Sequence, residues 1–189
     1  MRIYFNGIVA RVITMAKKRF KADLSISGIE QLQKDIIKYQ NTLPNKARLL
    51  AERLAEMGVE IAKVNISRLD AVFTGELIQS VHSVNKSSTR NGAIFCVVAD
   101  SEHAVFVEFG TGIVGQQSPY PYPLPSGMNW QYASGQTIRQ LADGRYGWFY
   151  PADDGNWYFT EGMPSRPFMY ETSLELQKKV VSVAKQVFK

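Results

Sequence analysis

The sequence predicts an α+β fold: two N-terminal helices and a C-terminal helix packed on a small, mostly antiparallel β-sheet, with an aromatic- and proline-rich β-hairpin insertion. Three observations lead there. Apolar residues recur at helical spacing in long stretches near the start and again at the end, and short alternating or apolar runs bounded by polar loops lie between them. Residues 113–160 differ in composition from everything around them. At 189 residues, 45% hydrophobic and 21% charged, the chain suits one globular domain with a core, expected over 20–189.

Residues 1–19 form a basic N-terminal extension. Arg2, Arg11, Lys17, Lys18, Arg19 and Lys21 carry +6 within the first 21 residues, against +5 for the whole chain, so the remainder is close to neutral at −1. Asn6 and Arg11 interrupt the apolar stretch and the positive cluster follows it, which is not the layout of a secretory signal. Ile8, Val9, Val12, Ile13 and Ala16 share a helical face, Tyr4–Val9 fits a tight hairpin equally, and Met15 is an alternative start. The plainest expectation is a poorly ordered extension.

Phe20, Ala22, Leu24 and Ile26 alternate with polar residues, as a half-buried strand does. Ser27 and Glu30 form a capping box for a first helix carrying Ile29, Leu32, Ile36 and Leu43 on one face. Pro44 is expected to end that helix and open a second, from about Asn45 to Leu69, striped by Leu50, Leu54, Met57, Ile61 and Val64. Thr74-Gly75 turns into a short helix or strand. Strands are expected near 80–87 and 92–99, the second holding the single cysteine, Cys96, as a core residue. Ala104–Phe109 reads as a further strand ending at Gly110-Thr111-Gly112. Pro164 and Pro167 precede a last helix from about Phe168.

Residues 113–160 hold all three tryptophans, six of nine tyrosines and five of eight prolines. The Pro119–Pro125 run is expected to be extended. Arg145–Tyr150 and Trp157–Thr160 flank the turn signal Pro151–Asn156, predicting a hairpin. Tyr120, Tyr122, Trp130, Trp148 and Trp157 are the candidate interface residues. Stacking on sugars, stacking on bases and packing against protein are the three uses such a segment offers. Its net charge of −1 disfavours nucleic acid, and protein packing is favoured.

No catalytic constellation is found. Gly110–Gly115 fits G-x-G-x-x-G, but the dinucleotide mechanism needs a helix N-terminus directly after it, and the proline run is expected to prevent one. His82, Glu102, His103 and Glu108 lack metal-ligand spacing, and Asp153-Asp154 suits a turn. No nucleophile elbow or Walker loop is present, so neither an enzyme nor a cofactor or metal is expected. No apolar run approaches the ~20 residues that cross a bilayer, so no membrane role is expected. Glu108, an acid in an apolar run, must face solvent or be paired. It either accepts N–H groups of the adjacent turn or meets Arg166 of another subunit.

Three ordered fragments carry a family resemblance. Thr74-Gly75-Glu76-Leu77-Ile78-Gln79-Ser80-Val81 resembles "TG-x-L-x-x-S-I", Ala104–Gly112 resembles "A-x-Y-V-E-F-G-T-G", and Gly162–Met169 resembles "G-x-x-x-x-P-F-L". Together they resemble the minor tail-component and head–tail joining (tail completion) morphogenesis family of long-tailed bacteriophages and prophages. The resemblance implies a structural protein in a ring-like homo-oligomer, with other neck and tail proteins as partners and no small-molecule substrate. It implies the host bacterial cytoplasm during assembly and the virion neck or tail afterwards. Thr74, Gly75, Leu77, Ser80, Glu108, Phe109, Gly110, Thr111, Gly112, Arg166, Pro167 and Phe168 are the residues it singles out. Glu108 and Gly110–Gly112 would shape the ring's working loop, and Arg166–Phe168 would anchor the last helix on the sheet. Phe106 stands where the family pattern has tyrosine, and the aromatic segment exceeds the short loop expected. The alternative is a nucleic-acid-binding accessory protein working through the basic N-terminus, the one place where DNA contact is expected.

Overall fold

The computed structural model describes residues 3–4, 20–23, 25–71, 75–89, 92–132, 138–152 and 154–189. The element order is β1 (Ile3–Tyr4), α1 (Ile26–Arg68), α2 (Glu76–Ser80), β2 (Val81–Thr89), β3 (Gly92–Ala99), α3 (Ala104–Phe109), α4 (Gly112–Gln117), β4 (Arg139–Gln140), β5 (Tyr146–Pro151), β6 (Trp157–Thr160), β7 (Gly162–Met163) and α5 (Phe168–Val187). Helices and two small sheets, ordered β1-β3-β2 and β4-β5-β6, make it an α+β chain. Among the described residues no helix is long and apolar enough to cross a membrane. The N-terminal alternatives fall outside the described residues except at Ile3–Tyr4, which form a strand.

The chain divides into two contact units. One comprises 4–61, 82–98 and 173–189. Its core joins Leu50 and Leu54 of α1 to Leu176, Val183 and Val187 of α5, with Met57, Ile61, Val180, Ala184 and Phe188 packed around them. Gly58 lets these layers close: a Cβ there would lie 2.7 Å from Val97 of β3 and 2.9 Å from Leu176. Cys96 is buried, as its place in the alternating run implies. Strands β2 and β3 are joined by two residues, so they run antiparallel.

The other unit comprises 1–3, 62–81 and 99–172. Ala62 and Ile66 at the end of α1, Leu77 of α2, Ala104, Val105 and Phe109 of α3, and Phe168 and Met169 of α5 are among its buried apolar residues. Strands β5 and β6 pair antiparallel through Phe149↔Phe159 and Tyr150↔Tyr158, and β4 adds two residues on the other side of β5.

Five expectations are corrected here. The strand expected over 20–26 is not found at the described residues: 20–23 are irregular and α1 begins at Ile26. Ser25, not Ser27, caps that helix, its hydroxyl accepting the Gly28 N–H at 3.0 Å, while Asp23 accepts the Ser25 N–H at 2.8 Å and closes the entry turn. Such a cap outweighs a short run of alternation. The two N-terminal helices are one, with Pro44 inside α1. Helical sequence on both sides carries the helix through the missing N–H, and Thr42 returns its hydroxyl to the Tyr39 carbonyl at 2.7 Å.

The strand over 104–109 is the helix α3. Short apolar runs carry no decisive period. Here Ser101 tips the balance, its carbonyl accepting the Ala104 N–H at 3.1 Å and its hydroxyl the His103 N–H at 3.3 Å. Finally, a helix does begin directly after the Gly-Thr-Gly turn, because α4 is complete by Gln117, before the first proline of the run.

Candidate functional site

Two of the three motif fragments meet in one place. Helix α5 starts at Phe168, and Pro167, whose carbonyl accepts the Glu171 N–H at 3.0 Å, stands at the capping position. Proline has no side-chain oxygen to offer the first-turn amides. Glu108 supplies it from α3: the Met169 N–H donates to Oε2 at 2.8 Å and the Tyr170 N–H to Oε1 at 3.1 Å. Glu108 is 0% exposed. Burial raises its pKa to about 8 against the opposing pull of the two N–H donors, and the Glu171 carboxylate raises it further.

Sequence reasoning had Glu108 on a strand, bound to the neighbouring turn or to Arg166. It is paired and structural, but its partners lie on α5. Arg166 instead donates its backbone N–H to the Val107 carbonyl at 2.8 Å and its Nε to the Leu69 carbonyl at 3.1 Å. The Ser165 hydroxyl donates to the Glu108 carbonyl at 2.7 Å. Arg166, Pro167 and Phe168 therefore bind α5 to α3 and to the end of α1, not to a sheet. Beside them Asn65, buried in α1, donates to the Thr172 hydroxyl at 3.2 Å, and Arg68 links Asn65 to Glu171.

The glycine turn is built for close approach. Thr111 and Gly112 bridge antiparallel to Met163 and Gly162. Gly162 has φ 101°, and a Cβ there would lie 2.0 Å from the Thr111 carbonyl oxygen; Gly112 has φ 66°, and its Cβ would lie 2.3 Å from the Glu161 oxygen. The first amides of α4 are already engaged, Gly112 N–H by the Tyr132 carbonyl and Val114 N–H by the Glu161 carbonyl at 3.2 Å. Those donors are what a phosphate would need, so the glycine pattern does not form a dinucleotide site here. Glu108, Phe109, Gly110 and Gly112 are buried and Thr111 half-buried.

The aromatic residues divide into anchored and open sets. Trp130 donates its indole N–H to the Gly110 carbonyl at 3.0 Å and packs on Phe109 at 5.3 Å. Tyr120 is buried against Phe109 at 4.7 Å, and Tyr122 stacks on Tyr170 at 4.0 Å. Tyr132, which the sequence did not single out, accepts the Tyr120 N–H on its hydroxyl at 2.8 Å; nothing in composition distinguishes it from its neighbours. The β5–β6 hairpin is open: Trp157 is 66% exposed, Phe149, Tyr146 and Tyr158 are exposed, and Trp148 is half-buried.

Of the first fragment, Gly75 has φ 80°, Leu77 is buried, Ser80 donates to the Leu77 carbonyl at 2.9 Å, and Thr74 lies outside the described residues. His82 and His103 are exposed. Among the described residues, no three His, Cys, Asp or Glu side chains are grouped to hold a metal. Asp154 receives the Asn156 N–H at 2.9 Å and the Tyr158 hydroxyl at 2.7 Å, the bonds of a turn; Asp153 lies outside the described residues.

Compared with family models, curated proteins and solved structures, the chain matches none.

Proposed function

We propose that this chain is a structural morphogenesis protein of long-tailed bacteriophages or prophages, a subunit of a homo-oligomeric ring that completes the tail or joins it to the head. The observation that carries the reading is the Glu108 junction. Two of the three motif fragments that carry the resemblance, 104–112 and 162–169, interlock through Glu108, Ser165, Arg166 and the Thr111–Met163 bridge. The acid at its centre is fully buried and holds backbone amides, a role in building the fold and not in turning over a substrate. The finer architecture belongs to the same proposal: 113–160 is an insertion in the family domain, and its open hairpin face meets a neck or tail neighbour. Exposed Trp157, Phe149 and Tyr158 are the residue types that enrich protein interfaces.

Electron microscopy of a lysate from the phage or induced prophage lacking this gene tests the reading. Filled heads beside separate tails, or defective tails alone, are the expected outcomes. Normal infectious particles would overturn it.

A further inference from the structure

Helix α1 carries an apolar residue at strict seven-residue intervals: Ile29, Ile36, Leu43, Leu50 and Met57, with Leu32 and Tyr39 three positions after the first two. A sustained seven-residue repeat is the seam of paired helices. The later part of the seam is used within the chain, where Leu50 and Met57 pack with Leu176, Val183 and Val187 of α5. That contact reaches Lys46, whose Nζ donates to the Lys189 carbonyl at 3.0 Å. Residues 26–43, a further 27 Å or so of helix at ~1.5 Å per residue, continue the seam beyond it. There Phe20 packs on Tyr39 at 5.9 Å, but Ile29 is 52% and Ile36 36% exposed, and Ile26 and Ile37 widen the apolar strip.

This stretch is not stable as a helix by propensity. It holds four isoleucines, Gly28, Asn41 and Thr42 and no alanine, and isolated helices of about this length are marginal in water even when alanine-rich. The repeat says that a helix covers it, and the charges say which. Glu30 and Asp35 balance Lys34 and Lys38, and the positions flanking the seam are Gly28, Gln33, Asp35, Gln40 and Thr42. Asp35 is already engaged by Gln31 at 3.0 Å. A strongly acidic partner helix finds no cation at those positions and a strongly basic one finds only Asp35, whereas an identical segment meets no row of like charges.

We propose that the Ile29–Leu32–Ile36–Leu43 seam of α1 is an interface with the same seam of a second copy of this chain. This does not rest on the tail-assembly reading: it concerns self-association in solution, and either can fail without the other.

Sedimentation equilibrium of the full chain from about 1 to about 100 µM is the test. Reversible association is expected, weakened about 100-fold or more by the Ile29→Glu/Ile36→Glu double variant, since two desolvated isoleucines per copy are replaced by charge. A wild-type chain that stays monomeric throughout overturns the proposal, as expected if residues 1–19 of the same chain cover the seam. Association untouched by the double variant but lost in Trp157→Ser also overturns it and moves the interface to the hairpin. Should the double variant fail to fold, oxidative cross-linking decides. Ile36→Cys is expected to give a disulfide-linked dimer and Lys34→Cys, on the helix's far side, none; equal yields, or none at 36, overturn the proposal.

Discussion

At the scale of single residues, Glu108 shows how a buried acid earns its place through backbone and not through another side chain. Its two acceptor oxygens meet two N–H groups that a proline cap cannot serve. Desolvation still wins over those bonds, so the folded chain holds the proton to about pH 8 while the ordinary carboxyl value is 4.5. Between those values the folded state binds a proton that the unfolded state has lost, and stability must fall as pH rises. The contribution is complete below about 4.5, drops by up to ~1.4 kcal/mol per pH unit for one such group, and is gone above about 8. Glu108→Gln should remove this slope. The variant should be less stable by about 1–3 kcal/mol at pH 5, because one of its two polar atoms now faces an amide as a donor, with the gap closing as pH rises and changing sign by pH 8, since the wild-type slope across that range exceeds it. Urea melts of both chains at pH 5, 6.5 and 8 measure it; a gap that widens with pH contradicts this account.

At the scale of elements, the β5–β6 hairpin and the anchored aromatics behave differently although they come from one segment. Trp130 is held by a hydrogen bond and two rings, whereas Trp157 sits opposite Pro151 near the turn and stays open. In a verified monomer, Trp157→Phe should therefore remove the most red-shifted, most acrylamide-quenchable part of the tryptophan emission. Equal quenching before and after the substitution would show that Trp157 is covered. Hairpin strands were readable from the turn signal between them, because Pro, Asp and Gly act locally. The helical state of α3 was not, because five apolar residues and one acid suit either period and the choice fell to Ser101 and to packing around Phe109. Pro44 misled for the opposite reason: its local rule is sound, but long helical sequence on both sides overrode it.

At the scale of the molecule, charge is segregated. The first 21 residues carry +6 and the other 168 carry −1. Retention on a heparin or DNA column should therefore depend on the N-terminal cluster alone. Replacing Lys17, Lys18, Arg19 and Lys21 by serine lowers the net charge from +5 to +1, and should abolish retention at about 0.1 M salt. Retention that survives the change would locate a polyanion site in the body. Steep, salt-dependent DNA binding by the wild-type chain would favour the accessory-protein alternative over tail assembly.

The sequence by itself determined the α+β class, the strand pair 81–99, the hairpin over 146–160, the last helix and the burial of Cys96. Periodicity, caps and turn residues act over a few positions, and those positions are adjacent in the chain. Only the tertiary structure decided that Glu108 caps α5, that the glycine turn seats against Gly162, and that Tyr132 serves Tyr120. Each of these joins groups far apart in sequence, and a carboxylate or a carbonyl satisfies any amide brought to it, so composition and spacing carry no record of which amide that is.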